Sequence, residues 1–313
     1  MELFLQPPRL TDGMRVAVIA PASPVLDRTA FESGIGVLEQ LGLQVVYGSS
    51  VFEVNGYLAG TDEQRAADLA WALCAPDIDA IWCARGGFGS HRTVAALHGR
   101  LQGQSPLHAK AFIGFSDLTV IHQYIARTFR WVTFYGPTVD DLENATEYTL
   151  EMLRRALFST STFTIANPPD VPRPTALVPG IAEAVLTGGC LELLAMLVGS
   201  ALSPLFEGKV VFFEDVAVSA PRVDRRLAQL MAAGCFAGAA GILIGEHAKS
   251  ANSAAEAAQL SAVFHEHFQP LGIPCLYGVP LGHGMHQATL PLGTLCRLDS
   301  VGGVLEVVRP GVR

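Results

Sequence analysis

Short apolar runs alternate with longer amphipathic stretches through the first half of the chain, and that alternation excludes most folds before any residue is given a role. Residues 15–20 (RVAVIA), 44–47 (QVVY), 79–84 (DAIWCA) and 111–113 (AFI) each have the length and near-continuous hydrophobicity of a buried strand. Between them lie a helix-period segment at 27–41, closed by Gly42, and a second one running toward Cys74 behind the capping-box pair Thr61 and Gln64. Strands that follow one another through helices pair in parallel, because a parallel return requires a crossover. The sheet they form is covered on both faces, and ligands collect at the carboxyl ends of its strands. The predicted class is therefore α/β, with a mostly parallel N-terminal sheet.

From 167 to 180 the sequence NPPDVPRPTALVPG carries Pro168, Pro169, Pro172, Pro174 and Pro179. Each proline fixes φ and removes a backbone donor, so neither a helix nor a central strand is expected there. This predicts an N-terminal domain over 1–165, a proline-rich linker over 166–180 and a C-terminal domain over 181–313. A chain of 313 residues also exceeds what one core usually fills. The second half reads as a strand at 181–186, a turn at Gly188-Gly189-Cys190, a helix at 191–198, a strand at 210–213, a helix at 223–233 and a strand at 241–244. An Ala-rich helix ending near His267 and short strands such as 304–308 complete it. That mixture predicts a second, mixed α/β domain with a barrel-like sheet.

Half of the residues are apolar and only 16% are charged, which excludes disorder, and the formal charge of −8 argues against nucleic acid or an anionic membrane as partner. No run approaches the ~20 apolar residues of a membrane span, and residues 1–10 lack the basic-then-apolar order of a signal peptide, so a cytoplasmic protein acting on a small-molecule or peptide ligand is expected. Cys74, Cys83, Cys190, Cys235, Cys275 and Cys296 sit among apolar neighbours without a CxxC pair, as reduced core thiols do.

Three positions carry chemistry. In KAFIGFSDLTVIH a buried strand breaks at Gly114-Phe115-Ser116 and restarts as a helix. A serine at such a junction either caps the helix, with Asp117 favouring its first turn, or projects its hydroxyl above the sheet as a nucleophile. Glu214 closes the strand VVFF, so its carboxylate is expected at a strand end, free to pair with Arg225 or Arg226 or to orient a base. His283, between Gly282 and Gly284, has room to approach a neighbour. A serine nucleophile needs a base and the base needs an orienting acid; Ser116, His283 and Glu214 supply all three, with the site in the cleft between domains. The glycines of Arg85-Gly86-Gly87-Phe88-Gly89-Ser90, directly after a strand, let backbone N–H groups face a phosphate or an oxyanion. They lack the spacing and downstream acid of a dinucleotide fingerprint.

RGGFG, IGFSDLT, YGP at 135–137, TGGCLELLAMLVG, VFFEDV, VDRRLAQL and GVPLGHG follow one another in the order and spacing of the LD-carboxypeptidases, and the chain resembles that family from Arg15 to about Gly293. The family consists of serine peptidases and includes the microcin C self-immunity peptidases. The resemblance implies a nucleophile at Ser116, a glutamate at Glu214, a histidine at His283 and oxyanion-hole amides at Gly87 and Asp117. It implies a homodimer in which the N-terminal domain carries the nucleophile and the C-terminal domain supplies Glu and His, with no cofactor and no metal. The implied activity is hydrolysis of the L,D-peptide bond to a terminal D-alanine in murein tetrapeptides during peptidoglycan recycling. Because a carboxypeptidase must hold a terminal carboxylate, Arg85 is the candidate for that contact, or else a brace for the glycine loop.

The chain departs from the family at Tyr135 (FYGP for the frequent THGP), at Cys190 (GGC for GGN) and at Val218 and Pro221, where substrate-contacting side chains are expected. Two other activities stay open. A peptidyl-nucleotide substrate, as in the microcin branch, would call for an aromatic platform, and Trp71, Trp82 and Trp131 all fall away from His283 in sequence. A metal-dependent hydrolase would join His283 and His286 with Glu214.

Overall fold

The computed structural model describes residues 4–101, 106–251 and 253–313. Its strands are β1 (Arg15–Ile19), β2 (Gln44–Tyr47), β3 (Ala80–Cys83), β4 (Ala111–Gly114), β5 (Thr133–Tyr135), β6 (Phe163–Ile165), β7 (Thr175–Val178), β8 (Ile181–Cys190), β9 (Lys209–Val216), β10 (Gly241–Ala248), β11 (Cys275–Val279), β12 (Leu290–Leu292), β13 (Leu295–Asp299) and β14 (Val304–Val307).

The first sheet has the order β12-β5-β4-β3-β1-β2; β1 through β5 are parallel to one another and β12 is antiparallel on the edge. Its helices start where the sequence puts them. Asp27 accepts from the amides of Thr29 and Ala30 to open the helix Arg28–Gln40, and Thr61 with Gln64 forms the reciprocal cap of Asp62–Cys74.

The second sheet has the order β6-β14-β13-β8-β9-β10-β11-β7, with β8 to β11 parallel in the middle and antiparallel strands outside. Its terminal strands β6 and β7 do not pair with each other, so the described strands form an open array and not the barrel-like closure expected. Pro174 and Pro179 bracket β7 and confine it to four residues at the edge of the sheet. The proline-rich run thus carries an edge strand.

Two strands cross between the halves: β6, before the prolines, pairs in the second sheet, and β12, near the C-terminus, pairs in the first. The sheets share one core in which Trp82, Phe134 and Tyr135 of the first pack with Phe212, Leu243 and Leu276 of the second. Tyr135 and Phe212 rings meet at 4.8 Å across that junction. Gly188-Gly189-Cys190 is not a turn but the end of β8. A β-carbon on Gly188 would lie 1.9 Å from Phe212 O and one on Gly189 2.3 Å from Thr119, so glycine lets β8 run flush against β9 and the helix Thr119–Thr128.

Candidate active site

The break after β4 is sharp. Phe115 is extended, Ser116 has φ +66°, and a single 3₁₀ turn, Ser116–Leu118, leads into the helix Thr119–Thr128. A non-glycine residue in the left-handed region costs about 1–3 kcal/mol, so the surroundings must hold it there. They do so from both sides: Thr119 Oγ1 donates to Ser116 O at 2.7 Å, and the Ser116 amide donates to Tyr135 Oη at 3.0 Å. Gly114 and Gly86 make the space, since a β-carbon on the first would strike Leu118 at 2.3 Å and one on the second would lie 3.0 Å from Ser116 Cβ.

Ser116 Oγ lies 3.1 Å from His283 Nε2, and His283 Nδ1 lies 2.6 Å from Glu214 Oε2. The three residues expected to converge from distant parts of the chain do converge. A carboxylate only accepts, so the proton between Glu214 and His283 sits on Nδ1, which leaves Nε2 free to accept from the serine hydroxyl. Glu214 is fully buried. It does not end its strand: β9 continues through Val216, with Asp215 and Val216 paired to His247 and Ala248 of β10. Opposite Glu214 the register of β10 shifts between Ile244 and His247, a bulge of the kind that redirects side chains beside functional sites. Neither Arg225 nor Arg226 pairs with Glu214; Arg226 binds Asp215 and Glu192 instead.

Burial draws the His283 pKa down, but Glu214, with Asp141 and Asp215 farther off, outweighs it and raises the value above the ordinary histidine range. Phe115 covers one side of the imidazole at 4.7 Å between ring centres. Tyr135 completes the set: its hydroxyl donates to Glu214 Oε1 at 2.7 Å. In the sequence Tyr135 stands only in the YGP motif and as a departure from the family's frequent THGP, with no role attached. The signal in the sequence is a phenol beside Gly136-Pro137, whose hydroxyl needs a partner once buried.

Gly87, at φ +103°, follows β3 next to Gly86, the residue that approaches Ser116, and a β-carbon on Gly87 would lie 2.3 Å from Ser23 Oγ. The amides of Gly87 and Asp117 make no hydrogen bond to the described residues. The rest of Asp117 is engaged elsewhere. Its carboxylate accepts the Ser90 amide at 2.8 Å and its carbonyl accepts Ser90 Oγ at 2.5 Å, tying the helix Ser90–Arg100 to the Ser116 turn. Burial raises the Asp117 pKa, with the Ser90 amide working against it.

Arg85 donates to Pro24 O at 3.3 Å and lies 3.8 Å from Asp140, its Nε buried without a hydrogen bond. Burial pushes Asp140 up to about 6 despite Arg85. A cavity of about 290 Å³ lies alongside, lined by Asp140, Asp141, Asn144, His283, Gly284 and Gln287. His286 is not with Glu214; its nitrogens bond to Asp170 and Thr146, each at 3.0 Å. Cys190 is buried against Asp215, and burial raises its thiol pKa well above normal. Val218 and Pro221 line a separate cavity with Lys249 and Ser250. The arrangement can deprotonate an alcohol, hold the resulting imidazolium against a buried carboxylate, and present two free amides nearby.

Residues 16–136 match the model of the LD-carboxypeptidase N-terminal domain, and residues 183–298 match that of the LD-carboxypeptidase C-terminal domain. The chain is 34% identical to the "Probable murein peptide carboxypeptidase" of Bacillus subtilis, over 95% of this chain and 92% of that one. It is 32% identical to the murein tetrapeptide carboxypeptidase of Pseudomonas aeruginosa, over 92% and 94%. In fold it is similar to the microcin C7 self-immunity protein MccF in its wild-type apo state, with a TM-score of 0.88, 23% identity and coverage of 99% and 100%.

Proposed function

Because this chain belongs to the LD-carboxypeptidase family, we propose that it is a serine carboxypeptidase that hydrolyses the L,D-peptide bond to a terminal D-alanine in murein tetrapeptides. The observation that carries the serine mechanism is the unbroken contact from Ser116 Oγ through His283 to Glu214.

In this mechanism His283 Nε2 takes the Ser116 proton as Oγ attacks the scissile carbonyl, forming the C–O bond. The Gly87 and Asp117 amides receive the oxyanion, a donor pair of which each member typically contributes on the order of 3 kcal/mol to lowering the barrier. The imidazolium, held by Glu214, passes its proton to the departing D-alanine nitrogen as the C–N bond breaks. Water, deprotonated by His283, then releases the acyl group as a carboxylate and restores Ser116. Arg85 is the candidate for the terminal carboxylate, since Asp140 only partly occupies it. The reading places the enzyme in the cytoplasm, recycling muropeptides as a homodimer. It is compatible with the finding that no described helix is long and apolar enough to cross a membrane.

A peptidyl-nucleotide substrate has one observation in its favour. Trp82 and Trp131 are buried, but Tyr57 and Phe88 form an exposed edge-to-face pair, and Phe88 directly follows Gly87. Mass analysis of products from tetrapeptides ending in D-alanine, all-L controls and a peptidyl-adenylate analogue separates the two. Release of D-alanine alone is expected; cleavage of the adenylate analogue with intact tetrapeptides would replace this reading by the other.

A further inference from the structure

We propose that Tyr135 is a positioning residue of this centre, its hydroxyl closing a hydrogen-bonded ring that begins and ends on Ser116; the inference rests on the serine mechanism above. Two arms join Ser116 to Glu214. In one, Ser116 Oγ meets His283 Nε2 at 3.1 Å and His283 Nδ1 meets Glu214 Oε2 at 2.6 Å. In the other, the Ser116 amide donates to Tyr135 Oη at 3.0 Å and Tyr135 donates to Glu214 Oε1 at 2.7 Å. The donor directions are consistent all the way round: serine gives twice, the carboxylate accepts twice, and histidine and tyrosine each accept one and give one.

Three consequences follow from this geometry. The second oxygen of a fully buried carboxylate has a donor, so Glu214 cannot turn away from His283 without abandoning it. The Ser116 amide is spent on Tyr135, which leaves oxyanion binding to other amides. The hydroxyl also secures the amide side of a left-handed residue whose carbonyl side is held by Thr119. The phenol ring has no freedom to leave: it is 1% exposed, with Phe212 at 4.8 Å, His122 at 5.6 Å and Phe115 at 6.1 Å. Burial, reinforced by the Glu214 charge, raises its ionisation well above the ordinary phenol range, so it remains a donor at working pH. Tyr135 lies on β5 of the first sheet and Glu214 on β9 of the second, so one hydroxyl sets the nucleophile's backbone and the orienting acid in register.

The test compares wild type, Tyr135→Phe and Ser116→Ala on a tetrapeptide substrate across pH. Removing the hydroxyl leaves the ring and its packing. Without that donor, the Glu214 charge falls more fully on His283, which is otherwise faced by Asp141, Asp215 and His247. Tyr135→Phe should lower kcat about 10-fold, change KM less than about 2-fold, and move the acidic limb of the rate profile to higher pH. Wild-type kcat with an unmoved limb, or a loss that merely tracks the unfolded fraction, would overturn the proposal. If Tyr135→Phe does not fold, trifluorotyrosine at position 135 supplies the reading. As a stronger donor it should move the limb to lower pH, and an unmoved limb again counts against the role. Turnover surviving in Ser116→Ala would instead remove the serine mechanism, whatever Tyr135→Phe does.

Discussion

Gly282 lies so close to Glu214 that a β-carbon on it would stand 2.2 Å from Oε2, the oxygen that receives His283. It also holds φ at +89°, a conformation that other residues rarely adopt. The residue before the histidine is thus constrained by the acid as well as by the backbone. Gly282→Ala should push the carboxylate out of line and reduce kcat about 100-fold or more, since a displacement of about 1 Å can have that effect. Steady-state kinetics on folded protein checks this, and wild-type turnover would show that Glu214 can shift without harm.

Ser116 is expected to trade stability for position. Ser116→Gly removes the steric cost of a left-handed serine, about 1 kcal/mol, and should raise Tm by roughly 2–4 °C while turnover disappears. Calorimetry decides the first part; a lowered Tm would mean that the serine is not strained where it stands.

The pH dependence has a definite sign. His283 must be neutral to act as base, and its raised pKa places the acidic limb above the ordinary value of 6.5, with activity falling below it. Glu214→Gln removes the charge that overcomes burial, so the limb should move down while kcat drops by about 10⁴. Linkage gives a second readout. The folded pKa lies above the unfolded one, so the ion pair's contribution is fully present below 6.5 and is lost as pH rises through the folded value. Melting curves of wild type should therefore lose ground to those of Glu214→Gln on going up through neutrality.

Gly87→Ala should lower kcat about 10²- to 10³-fold with little change in KM, because the β-carbon would meet Ser23 Oγ at 2.3 Å and drive the amide from its place. Adding Ser23→Ala to that variant relieves the clash and should recover part of the rate. No recovery would locate the defect in the φ of +103° alone.

Arg85→Lys keeps the charge but loses the planar fork, so KM should rise about 10-fold while kcat holds. An unchanged KM would leave Arg85 as a brace between Pro24 and Asp140.

The parallel sheet was readable because β1 to β4 are apolar runs separated by helices, and Ser116 and His283 were readable because glycines marked the breaks around them. What stayed hidden is what arises only when distant segments meet. β5 is three residues long, too short to show a period, so Tyr135 had no strand to stand on. β12 contains Pro291, which argues against a strand unless it lies on an edge, where it was found. The bulge of β10 opposite Glu214 depends on Gly245, where a β-carbon would lie 2.2 Å from Leu281, and no local pattern announces it. Gly188 and Gly189 looked like a turn because their reason, the carbonyl of Phe212 and the side chain of Thr119, lies elsewhere in the chain.

The crossing of β6 and β12 makes neither half a portable module. A fragment ending within the proline-rich run would carry an orphaned β6 and leave the flank of β5 bare, open to self-association. Separate expression of either half would carry the same defect, so the lobes are expected to be made, folded and lost together.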